Sequence, residues 1–405
     1  MLKRTLYWDI WKDLSRSKSM VFLSGPRQSG KTTLARQIAS QFTNSIYFNW
    51  DLVTDKKKLI EHPAFFEEIQ RKDNTPPLVI LDEIHKYRKW KNYLKGIYDQ
   101  FSDRYRFLIL GSGRLNVFQK GGDSLAGRYF QFNLWPFTLG ELANRRLPFK
   151  EFLKNPIQFI EKDSSIEKIW RRLFKLSGYP EPYLSGKETI YRRWSHSYRQ
   201  QLIREDIRNM TEIKSIDEME ILFSLLPSRV GNPLSLASLS RDLQISPMTV
   251  HKWIKTFESF YLAFLIKPWT RKISRAITKE RKLYLFDYAD IPSPAARFEN
   301  MAALELLRAI SNWNNLGFGN FELHYLRNKE KEEADFIISK KNQPFLIVET
   351  KLSEDQVSKS LLKFQSALKI PAIQLIHQPG ICRIISNHKQ QILISSTTRW
   401  LPLLP

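Results

Sequence analysis

Three four-residue apolar runs punctuate the first 150 positions, at Met20 to Leu23, Leu78 to Leu81 and Phe107 to Leu110. Such short unbroken runs fit strands, and the helical spacing between them completes a strand–helix–strand–helix–strand order. Residues 1–150 thus predict a parallel sheet with helices on both faces. From 151 to 215 the apolar positions fall at i, i+3 and i+4, as in IEKIWRRLFKL, which predicts a mostly helical segment with a turn at SGYPEPYL.

Residues 216–290 change pattern. A helix from Glu218 to Leu226 leads to LSLASLSRDLQI, a turn at SPM, and TVHKWIKTFESF, with Ser246 as N-cap and Pro247 at the first helical position. Two strands follow, YLAFLIKPW and LYLFD, on either side of a basic loop. A helix–turn–helix followed by such a hairpin is a winged helix. Residues 291–405 open on the amphipathic helix RFENMAALELLRAI, then FELHYLRN, ADFIIS and PFLIVETK as strands, a helix around KSLLKFQSAL and the strand AIQLIH. That order is the core of the PD-(D/E)xK nuclease-like fold.

Composition narrows the partners. The chain has 405 residues and a formal net charge of +23, a surplus that favours nucleic acid, nucleotides or an acidic surface. By block, residues 1–150 hold 26 basic and 14 acidic groups, so the surplus is no polybasic tail. Cys382 is the single cysteine, which excludes an internal disulfide and a multi-thiolate zinc site. No apolar run approaches the roughly 18–20 residues that cross a bilayer, so the expectation is a cytoplasmic protein without a membrane partner.

The strongest motif is MVFLSGPRQSGKTTLARQIA, a strand, a glycine loop and a helix. Gly25, Pro26, Arg27, Gln28, Ser29 and Gly30 form a loop whose backbone N–H groups would curl around phosphates, followed by Lys31, Thr32 and Thr33 at the helix start. Lys31 would reach the β- and γ-phosphates of ATP, and the Thr32 hydroxyl would ligate Mg²⁺. The second apolar strand delivers Asp82 on the metal side and Glu83 as a base for the attacking water. At the end of the third strand, Ser112 is placed to sense the γ-phosphate. Arg128, in SLAGRYF, is a candidate to neutralise transition-state charge, within its own chain or in a neighbouring copy of a homo-oligomer.

Two further constellations concern nucleic acid. Thr249, His251, Lys252 and Lys255 would face outward on the recognition helix, and the loop carries Lys267, Arg271, Lys272, Arg275, Lys279, Arg281 and Lys282 against Glu280. RRWSHSYRQQLIREDIRNM interleaves Arg with Tyr191, Trp194 and Tyr198, a pattern that suits both stacking on bases and an amphipathic helix. In the last block, Asp335 opens one strand while Glu349 and Lys351 share a face of the next. With Glu299 they could hold Mg²⁺ and orient water, or else pair with Lys351 and Arg327 as an ion network.

The stretches GPRQSGKTT, LDEI, LGSG, LAGR, GYPEP, LYLFD, FEN, YLRN, EEADFII and VETK occur in the order of a bacterial and archaeal family of AAA-type ATPases, which the chain resembles over nearly its whole length. The resemblance implies an α/β architecture of four parts. These are an AAA-type P-loop ATPase core over 1–150, a helical lid or linker over 151–215, a winged helix over 216–290, and a restriction-endonuclease-like domain of unknown function over 291–405. It implies an ATP site at Gly25, Gly30, Lys31, Thr32, Asp82 and Glu83, and nuclease-like positions at Glu299, Asp335, Glu349 and Lys351. The expectation is a Mg²⁺-dependent, slow ATPase whose nucleotide state controls the other parts and which acts on DNA. The alternatives are an ATP-regulated nuclease and a non-enzymatic, nucleotide-switched DNA-binding or scaffold protein.

Overall fold

Five strands follow one another in the first third of the chain: β1 (Met20–Ser24), β2 (Ser45–Asn49), β3 (Leu78–Asp82), β4 (Arg106–Leu110) and β5 (Tyr129–Asn133). All neighbours pair in parallel, in the order β2-β3-β4-β1-β5. Every position of β1 and β3 is buried, as their unbroken apolar sequences require of strands covered on both faces. The edge strands β2 and β5 bury only Phe48 and Phe132. Helix Trp90–Phe101 turns Trp90, Leu94, Ile97 and Phe101 inward at helical spacing. Below it Phe66 meets Phe101, Tyr105 and Phe107 edge-on, with centroids 5.0, 5.1 and 5.6 Å away.

The structure, a computed structural model, describes residues 2–111, 125–208, 215–270, 280–353, 356–387 and 390–405. They divide into two units, residues 1–135 with 259–261, and 136–258 with 262–405. The second unit joins the expected helical segment, most of the expected winged helix and the C-terminal block. Pairing explains the second unit. Strands β6 (Ala263–Pro268) and β7 (Lys282–Leu285) form the expected antiparallel hairpin, but β6 also pairs in parallel with β8 (Phe321–Arg327) through Lys267 and Pro268.

The hairpin thus becomes one edge of a mixed sheet that continues through β9 (Glu333–Lys340), β10 (Gln343–Lys351), β11 (Ala372–Ile376), β12 (Cys382–Asn387) and β13 (Gln390–Ser396). The order is β12-β13-β11-β10-β9-β8-β6-β7. Helix Pro294–Asn315, capped by Ser293 with Pro294 in its first turn, packs on β7, β8 and β10. Helix Lys359–Leu368 covers an apolar cluster that includes Leu326, Ala334, Ile337, Ile347 and Ala372.

The N-cap expectation at Ser246 matches: its hydroxyl accepts from the Thr249 N–H at 3.0 Å, and the helix runs Pro247–Ser259. Elsewhere local structure differs from the expectation. SGYPEPYL is no simple turn, because Ser177 takes φ +65° and Pro180 then starts the short helix Pro180–Ser185. Helix Glu188–Gln200 passes into a π-helical stretch, Gln201–Ile207. Tyr191, Trp194 and Tyr198 of that helix are buried, which removes them as a platform for bases. Among the described residues no helix is long and apolar enough to cross a membrane.

Candidate nucleotide site and carboxylate cluster

The glycine loop lies at the carboxyl end of β1, between that strand and helix Lys31–Ala39. Its backbone needs its glycines. Gly25 has φ +138°, and a Cβ there would stand 2.3 Å from the Leu134 carbonyl oxygen; Gly30 has φ +95°. Arg4, 5% exposed, braces the loop from beneath by donating to the carbonyls of Ser29 and Trp135, both at 2.8 Å.

Lys31 is buried, and its ammonium donates to the carbonyls of Gly25 at 3.0 Å and Pro26 at 2.6 Å. Burial lowers its pKa to about 8, against the opposing pull of Glu83 and Asp82. A buried cation whose hydrogen bonds go to carbonyl oxygens gains from an anion placed against it. Ser29 adds a buried hydroxyl with no partner among the described residues. The loop therefore fits a phosphate group.

Because β4 lies between β1 and β3, Asp82 ends beside the P-loop helix rather than next to β1. Asp82 Oδ2 accepts from the Thr32 hydroxyl at 2.9 Å and the Tyr47 hydroxyl at 2.6 Å. Burial raises its pKa, and these two hydrogen bonds partly offset that. Thr32 and Asp82 are hard oxygen donors side by side, so they fit Mg²⁺. Glu83 takes the left-handed conformation, φ +56°. Burial disfavours its charge, but His85 at 3.5 Å and Lys86 at 3.1 Å outweigh this and lower its pKa. Glu83 is thus held as a carboxylate, the form a base needs. Among the loop residues, Arg27 and Thr33 are half-buried and Gln28 is exposed with φ +58°.

Arg128 departs from its expected place. It precedes β5, whose Tyr129 pairs with Met20, whereas the loop follows Ser24, paired with Asn133. Four residues of strand, about 13 Å, separate it from the phosphate end of the sheet. Its guanidinium instead forms a two-pronged pair with Asp99, at 2.7 and 3.0 Å. Arg128 is therefore not beside the glycine loop of its own chain. Ser112 lies outside the described residues, as do Arg271, Lys272 and Arg275.

On helix Pro247–Ser259, His251 and Lys252 are exposed, Thr249 shares a hydrogen bond with Ser246, and Lys255 pairs with Glu258. Lys282, read from the sequence as a loop cation, is instead buried. It is the centre of the carboxylate cluster. The three carboxylates expected to share a metal are each held by protein partners: Glu299 pairs with Lys282 at 3.1 Å, Asp335 lies 4.0 Å from the same ammonium and accepts from the Thr350 N–H and hydroxyl at 2.8 and 2.6 Å, and Glu349 pairs with Lys351 at 3.0 Å and Ser358 at 2.6 Å. Among the described residues, no group of three or more His, Cys, Asp and Glu could hold a metal ion. The ion-network alternative describes the cluster better, with Lys282 as its principal cation.

Sequence reasoning missed Tyr47 and Arg4, and it missed the burial of Lys282. Tyr47 carries no motif; only the pairing of β2 with β3 brings it to Asp82.

Residues 17–143 match the family model of the AAA domain, and residues 167–289 and 295–402 match two domains of unknown function, DUF8612 and DUF4143. Uncharacterized proteins of Mycobacterium bovis and Mycobacterium tuberculosis are each 19% identical over 368 residues, 89% of this chain and 76% of theirs. Among solved structures, the Walker-type ATPase of Pyrococcus abyssi is 13% identical with a TM-score of 0.45, over 73% of this chain and 95% of that one. The Aeropyrum pernix ORC1 protein in complex with DNA is 12% identical with a TM-score of 0.31, over 74% and 91%. Residues 17–143, with their glycine loop, buried Lys31 and parallel sheet, are thus similar to an AAA domain, and the loop fits the phosphates of a nucleotide.

Proposed function

We propose that the protein is a Mg²⁺-dependent ATP-binding protein and a slow ATPase. The observation that carries this is Lys31, a buried ammonium at the mouth of a glycine loop, next to the Thr32–Asp82 pair. Lys31 neutralises charge on the β- and γ-phosphate oxygens, and the loop N–H groups hold the phosphates in line. Glu83 polarises the water that attacks the γ-phosphate. Thr32 and Asp82 would hold Mg²⁺, which when bound supplies charge neutralisation on the phosphates. Titration with a fluorescent ATP analogue tests the assignment: Lys31→Ala should weaken binding at least about tenfold, the equivalent of roughly 1.4 kcal/mol. Unchanged affinity would remove Lys31 from the site.

A second reading concerns residues 216–290 as a DNA-contacting winged helix. It is supported by the exposed His251 and Lys252 on a helix that follows a short turn and precedes a hairpin. Phosphate contacts release counterions, so binding to duplex DNA in a mobility-shift series should fall steeply as salt rises, and the slope should shrink by about one on Lys252→Ala. Salt-insensitive binding would count against it. The nuclease alternative lacks a matching metal geometry and is not carried forward.

A further inference from the structure

The metal expected at Glu299, Asp335 and Glu349 does not fit, because its place is already held by positive charge. Lys282 enters from β7 with its side chain 1% exposed. Its ammonium is 3.1 Å from Glu299 Oε1, in direct contact with Glu333 Oε1, and 4.0 Å from Asp335 Oδ1. Tyr284 donates its hydroxyl to the same Glu299 oxygen at 2.7 Å, and the Tyr325 ring centroid lies 5.6 Å from the ammonium. Gly231 lies close to the same carboxylate: a Cβ there would stand 2.8 Å from Glu299 Oε2. A divalent ion needs hard oxygen ligands, carboxylates among them, converging at about 2.0–2.6 Å. Here those oxygens turn to an ammonium, to Thr350 and to Ser358.

We propose that Lys282 is the built-in cation of this cluster, standing where the carboxylate set would otherwise take a divalent metal. The second unit is then a metal-free scaffold in which one buried lysine pins the β6–β7 hairpin to helix Pro294–Asn315 through Glu299 and to β9 through Glu333 and Asp335. Arg327, 3.8 Å from Glu333, supplies a second positive charge at the rim. The inference stands apart from the ATPase reading, since it involves no residue of the nucleotide site.

Mn²⁺ binding, followed by electron paramagnetic resonance on the nucleotide-free full chain, tests it. An Asp82→Asn background removes the carboxylate that would hold a metal in the first unit. With Lys282 intact, no saturable Mn²⁺ site is expected; adding Lys282→Ala should create one, and adding Glu299→Gln should remove it again. A saturable site in the Lys282-intact chain that is lost on Glu299→Gln or Asp335→Asn would overturn the proposal. So would a folded Lys282→Ala chain that gains no site. If Lys282→Ala does not fold, the pair Lys282→Met with Glu299→Gln should recover a folded chain, because it removes a cation and a carboxylate together. Failure of that pair, where Glu299→Gln alone folds, would equally contradict it.

Discussion

His324 shows how one buried side chain ties this fold to pH. It is 4% exposed, its Nε2 lies 3.1 Å from the Ser339 hydroxyl, and burial lowers its pKa from 6.5 to about 4 despite the pull of Glu322. The folded chain therefore binds this proton more weakly than the unfolded chain. Its contribution is fully present above pH 6.5 and is lost as pH falls from 6.5 to 4, on the order of 3 kcal/mol in total. Urea unfolding at pH 7.5 and pH 5 should show the wild type losing more stability than His324→Asn; equal losses would refute this account. At the same scale, the glycine loop, Lys31, Thr32 and Asp82 were legible because each follows from local spacing. Tyr47 and Lys282 were not, since their partners come from strands and helices remote in sequence.

Among the elements, helix Glu188–Gln200 is the instructive case. Its sequence mixes Arg with large aromatics, yet Tyr191, Trp194 and Tyr198 repeat at i, i+3 and i+7, one face of a helix. Trp194 stacks on Tyr198 at 4.8 Å and leans on Tyr179 at 4.7 Å. Trp194→Ala should cost about 3–5 kcal/mol of stability, read by urea unfolding; a loss below about 1 kcal/mol would mean the ring is not a core residue. The hairpin β6–β7 was legible as two strands, but not its membership in the larger sheet, which rests on the parallel pairing of Lys267 and Pro268 with His324 and Tyr325. Strands β12 and β13 went unread; Gln390 and Gln391 open the second, and its apolar run is short.

Over the whole molecule, the parallel sheet of the first unit was the most legible feature, because buried strands announce themselves as unbroken apolar runs. The sheet of the second unit was the least, because the β6–β7 hairpin joins it through a strand pairing that no local pattern encodes. The charge of +23 still favours an anionic partner, but burial takes Lys282 out of the surface set, and Lys267 at the surface is paired with Glu322 at 2.7 Å.

The central claim is that the first unit hydrolyses ATP with Glu83 as the base. Steady-state ATP turnover with Mg²⁺, measured beside nucleotide affinity for the wild type and Glu83→Gln, tests it most directly. The account predicts slow turnover by the wild type, and a loss of about 10²-fold or more in Glu83→Gln with affinity retained. Wild-type turnover in Glu83→Gln would contradict it.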